Sequence, residues 1–217
     1  RKVREGLLCN FIKPAHRTYV EQNQITSNTS NWISHIAGGS LVAQIAIYGD
    51  DPEIGDLEPW FTGMILKEFT YIQKVFGCDG SYGEGYRYYN FAMQSFSKTL
   101  PALHRVFGVD LSGPIENSYR ETLCAGIVRE NVTYTFGDSD VDLKEEVQDW
   151  WIASQSGPMT NWVWLLARYR DPVLSWLYHH LKSFDTFQEI LHDVDDIPQK
   201  PPETLGNVMF FRDVGTA

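Results

Sequence analysis

The chain has 217 residues, of which 28 are acidic and 18 are basic, so its formal net charge is −10 at pH 7. Hydrophobic residues make up 43% and charged residues 21%, which is typical of a globular protein and excludes disordered and collagen-like chains. The best apolar run, residues 41–48, is interrupted by Gln44 and is too short to cross a membrane, and the acidic balance argues against a nucleic-acid groove.

Basic residues are concentrated at the start of the chain. Residues 1–20 contain five basic side chains and one acidic side chain, a local charge of +4, so the remainder carries −14. A solvated helix face is the commoner explanation of such a cluster. The alternative is a basic rim that attracts an anionic substrate.

Apolar residues recur at helical spacing along most of the chain, and the periodic segments end at Gly, Pro or Asp. The first helix is expected to end before Pro14, whereas Pro172 occupies a first-turn position with Asp171 as N-cap. Residues 132–136 and 207–212 are the strand candidates. Helices are predicted over residues 7–13, 31–48, 57–76, 86–107, 114–129, 143–154, 159–169, 172–182 and 184–192. This pattern indicates an all-α array, which is a bundle, a solenoid or a closed toroid.

The C-terminal end differs from the rest of the chain. Residues 197–204 include three prolines, which is typical of a linker, and residues 207–217 then alternate like a strand. A lone strand leaves its backbone groups unpaired. We therefore expect a helical domain over residues 1–197, followed at 198–217 by a linker and the first strand of a β-rich domain.

A loop-to-helix junction at residues 27–39 brings together candidate binding residues. Asn31 and His35 are four positions apart, so they lie on one helix face near its N-terminus. That end carries partial positive charge and spare N–H groups, which favour a carboxylate ligand. A capping asparagine and a hydrogen-bonded histidine explain the same pattern equally well.

A second junction, at residues 78–90, is rich in tyrosine and glycine. Its three glycines permit tight turns and close approach of a ligand. Tyrosine beside a cation can have a lowered pKa, which suits proton transfer, and aromatic faces stack on sugar rings. A rigid aromatic turn packed between helices is the alternative. The candidate residues are Tyr82, Glu84, Tyr86, Arg87, Tyr88 and Tyr89.

Together these motifs resemble those of the heparinase II/III-like polysaccharide lyases. The most specific element is Asp-Gly-Ser-Tyr-Gly-Glu-Gly at 79–85, followed by Tyr88. Asn31-Trp32 with Gly-Gly at 38–39, Phe-Gly-Asp-Ser-Asp at 136–140 and Phe-Phe-Arg-Asp-Val-Gly at 210–215 support it. The similarity extends from about residue 31 to the end. It implies an incomplete α/α toroid of antiparallel helix pairs that leads into a C-terminal β-sandwich.

The resemblance implies β-elimination at a uronic acid of an acidic polysaccharide, such as one like heparan sulfate or alginate. This reaction needs a group that binds the C6 carboxylate, a base for the C5 proton and an acid for the leaving O4. The family pattern assigns Asn31 to the carboxylate and Tyr88 to the acid, which sometimes also serves as base. Many members have a histidine directly after this asparagine, where this chain has Trp32; His35 is expected to take its role.

The remaining candidates of the second junction are assigned to substrate binding. Glu84 holds the turn or binds substrate, and Arg87 is expected from its charge to pair with a carboxylate or a tyrosinate. Trp32, Tyr82 and Tyr86 are expected to bind sugar. If the glycine turn is registered differently, the acid is Tyr82, Tyr86 or Tyr89 instead of Tyr88.

The resemblance also bears on cofactors, partners and location. It implies no cofactor in this chain and leaves any metal to the β domain, and the sequence has no cysteine or histidine spacing typical of a metal site. It implies a periplasmic or secreted enzyme acting on an acidic polysaccharide. Arg87, His35 and the basic first twenty residues are expected to make the cleft locally positive.

Two other functions remain open at this point. A toroidal glycoside hydrolase needs two carboxylates about 5–10 Å apart, for which Glu84 and Asp50 or Asp51 are available. A non-catalytic glycan-binding helical module would use the aromatic residues for stacking alone. A variant in which Tyr88 is replaced by Phe separates an elimination enzyme from such a module.

Overall fold

The computed structural model describes residues 2–22, 31–48, 58–77, 80–116, 118, 127–129, 132–133, 160–181 and 193–201. Most of these residues are helical, which confirms the predicted helical class. The α-helices are α1 (Lys2–Leu7), α2 (Lys13–His16), α3 (Trp32–Ile47), α4 (Glu58–Val75), α5 (Gly85–Phe107), α6 (Thr160–Tyr169) and α7 (Pro172–Leu181). None of the helices in these ranges is both long and apolar enough to span a membrane.

The chain divides into two compact units. The first comprises Arg1–Val75 and Ser95–Gly113, and the second comprises Phe76–Gln94 and Pro114–Ala217. Helix α5 belongs to both, because residues 85–94 are part of the second unit and residues 95–107 are part of the first.

In the first unit, α3 and α4 pack against each other, and the N-terminal helical segment (residues 2–21) packs on both. The buried side of α3 is rich in small residues, which allow neighbouring backbones to approach closely. The hydroxyl of Ser95 donates a short hydrogen bond to the backbone carbonyl of Ser34, which joins α5 to α3. The fully buried side chains of this core include Leu41, Met64, Tyr71, Ile72, Phe96 and Leu103.

The N-terminal helical segment does not end before Pro14, so the prediction was wrong there. Two π-helical turns, Leu8–Ile12 and Arg17–Glu21, alternate with α1 and α2, and Pro14 lies in the first turn of α2. A proline inside an α-helix loses one hydrogen bond, and its ring clashes with the carbonyl four residues earlier. The π turn before Pro14 widens the helix at that point, so the chain continues as a helix.

In the second unit, α6 and α7 form a helical hairpin with a two-residue connection. Arg170 ends α6 in the left-handed region, with a φ of 50°. The Oδ1 atom of Asp171 then accepts the backbone N–H groups of Val173 (2.8 Å) and Leu174 (3.0 Å). The predicted N-cap at Asp171 is therefore confirmed.

Residues 193–201 lie against α7. The side chains of Val194 and Ile197 are buried, and the hydroxyl of Ser175 donates to the backbone carbonyl of Ile197 at 3.3 Å. The N–H of Lys200 donates to the carbonyl of Pro172 at 2.9 Å. These bonds fasten the start of the predicted linker to the first turns of α7.

The predicted helix over residues 114–129 is wrong at its two ends, although Ser118 between them is helical. Gly113–Ile115 is a 3-10 turn, and Ile127–Arg129 (β1) is a strand that pairs antiparallel with Val132–Thr133 (β2). β-branched residues favour this pairing, and β2 confirms the described part of the strand predicted at 132–136. The predicted helices at 143–154 and 184–192 and the predicted strand at 207–212 lie outside the described residues.

Candidate functional site

The first candidate group lies at the start of α3. Asn31 is 3% exposed, Trp32 is 66% exposed and His35 is half-buried. The backbone carbonyl of Asn31 accepts the hydroxyl of Ser34 at 2.6 Å and the N–H of His35 at 3.4 Å. The start of α3 thus presents a buried amide, a half-buried imidazole and a solvent-exposed indole within one turn.

Capping does not explain the asparagine at this position. The backbone of Asn31 already has helical dihedral angles, with φ −56° and ψ −19°, and its side chain makes no capping hydrogen bond to the helix. A capping side chain requires an extended backbone that directs its oxygen at the following N–H groups. Of the two roles that the sequence leaves open for Asn31, the capping role is excluded.

The second candidate group is built on a tight turn between α4 and α5. Phe76 and Tyr82 form an isolated antiparallel bridge, closed by a 2.9 Å bond from the N–H of Gly77 to the carbonyl of Ser81. Gly80 and Gly85 have φ values of 85° and 84°, in the region that side chains disfavour. Glycine is therefore required at these two positions. We call residues 76–89 the aromatic turn.

Three rings form the centre of the aromatic turn. The centroid of Tyr82 lies 5.3 Å from that of Phe76 and 5.8 Å from that of Tyr89, in tilted and edge-to-face arrangements. Such pairs stabilise a fold beyond the area that they bury. The hydroxyl of Tyr82 donates to Oε2 of Glu84 at 2.8 Å. Glu84 thereby holds the turn, which was one of its two predicted roles.

The hydroxyl of Tyr89 is also engaged inside the fold. Tyr89 is fully buried, and its oxygen lies 3.1 Å from Oγ of Ser118. Ser118 donates its own proton to the carbonyl of Ile115 at 2.7 Å, so Tyr89 is the donor to Ser118. A buried phenol with this partner is part of the core, which argues against Tyr89 as the acid.

Tyr88 differs from its buried neighbours. Tyr82 is 6% exposed and Tyr89 is fully buried, whereas Tyr88 is half-buried on the first turn of α5. The side chains of Tyr86 and Arg87 lie outside the described residues, although their backbone belongs to α5. Of the tyrosines whose side chains the structure describes in the aromatic turn, Tyr88 is the one that a ligand can reach.

A buried amide cluster adjoins the aromatic turn, and the sequence analysis missed it. The Oδ1 atom of Asn90 accepts Nδ2 of Asn161 at 3.0 Å and Nε1 of Trp162 at 2.9 Å. The indole is a donor only, so it fixes which end of the Asn90 amide faces it, and Asn161 must then present its nitrogen. An amide among apolar neighbours in a strongly amphipathic helix was the available indication.

Two other polar atoms of the same cluster take part in neither of these hydrogen bonds. Nδ2 of Asn90 and Oδ1 of Asn161 are buried, and neither has a hydrogen-bond partner within the described ranges. Buried donors and acceptors in proteins are almost always paired, commonly through an internal water. One buried donor and one buried acceptor thus remain in this cluster, which are the kinds of group that internal waters bind.

The described residues offer no ready metal site. Among them, no three His, Cys, Asp or Glu side chains lie close enough together to hold a metal ion. Asp50 and Asp51, the carboxylates suggested as hydrolase partners of Glu84, lie outside the described residues.

Comparison with known proteins adds no relative. No family model, no curated protein and no solved structure matches this chain. The motifs and the geometry of the two candidate groups are therefore the observations that bear on the function of this chain.

Proposed function

We propose that this chain is a polysaccharide lyase that cleaves a uronate-containing acidic polysaccharide by β-elimination, with Tyr88 as the acid. The observation that carries this proposal is the difference in burial among neighbouring tyrosines. Tyr82 and Tyr89 are buried, and each donates its hydroxyl to an internal acceptor, whereas Tyr88 is half-buried. The buried pair and the Tyr82–Glu84 bond hold the first turn of α5 rigid beneath Tyr88, and rigid support is what proton transfer requires.

The carboxylate side of the reaction is assigned to the start of α3. Abstraction of the C5 proton builds negative charge on the C6 carboxylate, so a hydrogen-bond donor placed there stabilises the transition state. The resemblance assigns this role to Asn31, whose amide is 3% exposed, and the half-buried His35 offers an imidazole from the same helix face. Trp32, being 66% exposed, offers a flat apolar surface on which a sugar ring can stack.

The proton balance then follows from these roles. One base removes the C5 proton, the electrons form the C4–C5 double bond, and the bond from C4 to the glycosidic oxygen breaks. Tyr88 delivers a proton to that leaving oxygen. In the variant of the mechanism where tyrosine is also the base, the phenolate takes the C5 proton first and returns it to the oxygen. A nearby cation favours that phenolate, and Arg87, which precedes Tyr88 in the sequence, is the candidate named for this role.

The finer architecture and the location belong to the same proposal. The helix pairs α3–α4 and α6–α7 support an incomplete α/α toroid. The resemblance further implies an enzyme in the periplasm or outside the cell, with no cofactor in this chain. These statements depend on the lyase assignment and are tested with it.

The decisive experiment follows the ultraviolet absorbance of the unsaturated uronate product. The chain is mixed with alginate, heparan sulfate, chondroitin and polygalacturonate, and Tyr88→Phe is compared with Tyr89→Phe. Loss of an acid–base group lowers kcat by about 10²–10⁴-fold. We expect that loss for Tyr88→Phe, whereas Tyr89→Phe keeps its activity in proportion to its folded fraction. Equal activity of Tyr88→Phe and the parent chain would rule out the assigned acid.

The role of Asn31 is tested in the same assay. Removal of one donor to a developing oxyanion costs about 10²–10³ in kcat, so Asn31→Ala is expected to lose that much. Groups that act on one reaction are strongly non-additive, so the double variant with Tyr88→Phe should be little worse than Tyr88→Phe alone. Binding of a polymer with no product from any variant or from the parent chain would favour the non-catalytic glycan-binding module.

A further inference from the structure

The N-terminal helical segment carries a groove on its exposed face. The groove has a volume of about 550 Å³, within the range of about 300–1,000 Å³ that is usual for small-ligand sites. Ile12, Ala15 and His16 of the same segment are buried and face the core. The groove is lined by Cys9, Lys13, Pro14, Arg17, Thr18 and Gln22.

The two π turns bring these lining residues to one side. An ideal α-helix has about 3.6 residues per turn, so Gln22 would lie roughly 3.6 turns after Cys9, on the opposite face. Here the N–H of Lys13 bonds to the carbonyl of Leu8, and the N–H of Gln22 bonds to that of Arg17, each five residues back. Each wider turn raises the number of residues per turn above 3.6 where it occurs, in keeping with the four- and five-residue spacing of Cys9, Lys13, Arg17 and Gln22. π turns inside helices occur frequently at functional sites.

The charge of the groove is positive. Lys13 and Arg17 line it, and no carboxylate is among its lining residues. The Oε1 atom of the nearest acid in sequence, Glu21, lies 3.3 Å from Nδ1 of the buried His16. The groove is thus a basic site in the one strongly basic part of a chain whose net charge is −10.

We propose that this groove binds the carboxylate or sulfate groups of an acidic polysaccharide, as a binding site that shares no residue with the proposed catalytic groups. The choice of a polysaccharide rests on the proposed function. A guanidinium and an ammonium group bind anions by charge-assisted hydrogen bonds. The hydroxyl of Thr18 and the amide of Gln22 add neutral donors and acceptors suited to sugar hydroxyls.

The first test is equilibrium binding of the intact chain to fluorescently labelled oligosaccharides at low salt. An alginate oligosaccharide supplies carboxylates alone, a heparin oligosaccharide adds sulfates, and a dextran oligosaccharide is the neutral control. The groove variant is Lys13→Gln with Arg17→Gln. The matched control, Lys98→Gln with Arg105→Gln, removes the same charge from exposed positions of α5 outside the groove.

We expect the groove variant to bind the anionic probes about two- to tenfold more weakly, as the loss of two exposed ionic contacts implies. The control variant should change affinity by less than a factor of two. Added salt should weaken binding of the anionic probes by the parent chain and abolish the difference in affinity between the parent chain and the groove variant. Equal weakening by both variants would mean a diffuse charge effect and would overturn the proposal. So would failure of the parent chain to bind either anionic probe at low salt.

Cys9 provides a second, local measurement. Its thiol is free and exposed, and it lines the groove. The rate of alkylation by N-ethylmaleimide is measured with and without the probe, and Cys9→Ser supplies the background from the other cysteines. A saturating anionic oligosaccharide should slow the alkylation of Cys9 severalfold. An unchanged rate at saturation would place the ligand elsewhere and overturn the proposal.

The same assays distinguish binding at the groove from the proposed catalysis. The groove variant should raise KM and preserve kcat, whereas Tyr88→Phe should lower kcat and preserve binding. Absence of elimination in the parent chain would refute the lyase but leave the binding and alkylation results to decide the groove. A labelled DNA oligonucleotide that binds as tightly as the oligosaccharides at equal salt would overturn the polysaccharide as ligand.

Discussion

The hydroxyl of Tyr82 donates a 2.8 Å hydrogen bond to Oε2 of Glu84, two residues later along the chain. This bond turns the glutamate side chain back onto a buried ring, just before α5 begins at Gly85. The backbone can make that reversal because Gly85 has a φ of 84°. The side chain and the backbone therefore fix the same turn by independent means.

Replacement of Tyr82 by Phe tests that bond. It keeps the ring contacts with Phe76 and Tyr89 and removes only the donor to the carboxylate, so the free energy of unfolding should fall by about 1–3 kcal/mol. Urea unfolding measures the change, and Glu84→Gln, which keeps an acceptor oxygen, is the milder companion variant. A stability equal to that of the parent chain in Tyr82→Phe would show that the bond contributes nothing.

Tyr89→Phe probes the buried phenol. The substitution leaves the hydroxyl of Ser118 bonded to Ile115 and removes one buried hydrogen bond, at a cost of about 0.5–1.5 kcal/mol. Ser118→Ala should cost more, because it leaves the Tyr89 hydroxyl buried without its acceptor. Thermal or urea unfolding shows which of the two variants loses more stability. A larger loss in Tyr89→Phe than in Ser118→Ala would contradict the assignment of Tyr89 as the donor.

Asn90→Ala is expected to be one of the more damaging single changes in the second unit. It strands two buried donors, Nε1 of Trp162 and Nδ2 of Asn161, so the loss should be about 2–5 kcal/mol. A double-mutant cycle with Trp162→Phe removes one stranded donor. The double variant should therefore be more stable than the sum of the single losses implies. Strict additivity would show that the indole bond carries no coupling.

Two glycines in the first unit make a matched pair. A Cβ on Gly63 would lie 2.8 Å from Cγ1 of Val20, whereas a Cβ on Gly6 would meet nothing within 4 Å. Alanine in a helix gains about 0.5–1 kcal/mol over glycine, so Gly6→Ala should stabilise the chain by that amount. Gly63→Ala adds a steric overlap and should destabilise it by about 1–2 kcal/mol. The changes in the free energy of unfolding are expected to have opposite signs in the two variants. An increase in both would contradict the close packing of Val20 on α4.

The alkaline stability of the chain should depend on Lys67. Burial, and then the positive charge of Lys74, lower the pKa of Lys67 below its ordinary value of 10.5. An ammonium with a lower pKa in the folded than in the unfolded state opposes folding at neutral pH. That penalty disappears as the pH rises from the folded pKa towards 10.5, so this group makes the free energy of unfolding rise across that window.

Lys67→Gln removes the charge and with it this pH dependence. The difference in unfolding free energy between the variant and the parent chain should be largest near neutral pH and should shrink as the pH rises towards 10.5. Urea unfolding at a series of pH values measures it, and taking the difference cancels other groups such as Tyr19, whose pKa is raised by burial. Lys74→Gln should produce a smaller change of the same sign, and a pH-independent difference would contradict the assigned cause.

Helices bounded by strong local signals were predictable from the sequence. Glycine after α3, α4 and α5, and the Asp171-Pro172 pair before α7, act through the backbone of the residues themselves. Residues 127–129 were assigned wrongly because a strand of this length depends on its partner β2 and not on its own composition. The π turns were also not predicted, because the expected helices were based on a periodicity of 3.6 residues throughout.

The candidate site was predictable only as far as its residue types. The glycines and tyrosines of the aromatic turn marked the place, but burial decides which tyrosine a ligand can reach, and burial depends on the rest of the fold. Tyr89 meets Ser118 across 29 positions of sequence, and Asn90 meets Trp162 across 72. No local pattern encodes such contacts, so the separation of Tyr88 from Tyr82 and Tyr89 required the structure.

The donor-only indole of Trp162 has a consequence for the uniqueness of the fold. An apolar contact between α5 and α6 is non-directional, so it would tolerate sliding of one helix along the other. A shift of one residue moves a side chain by about 1.5 Å along the helix and turns it by about 100°, which breaks the bond to Asn90. A misaligned pairing of these helices therefore buries an unsatisfied indole, so the amide cluster favours the observed alignment over a shifted one.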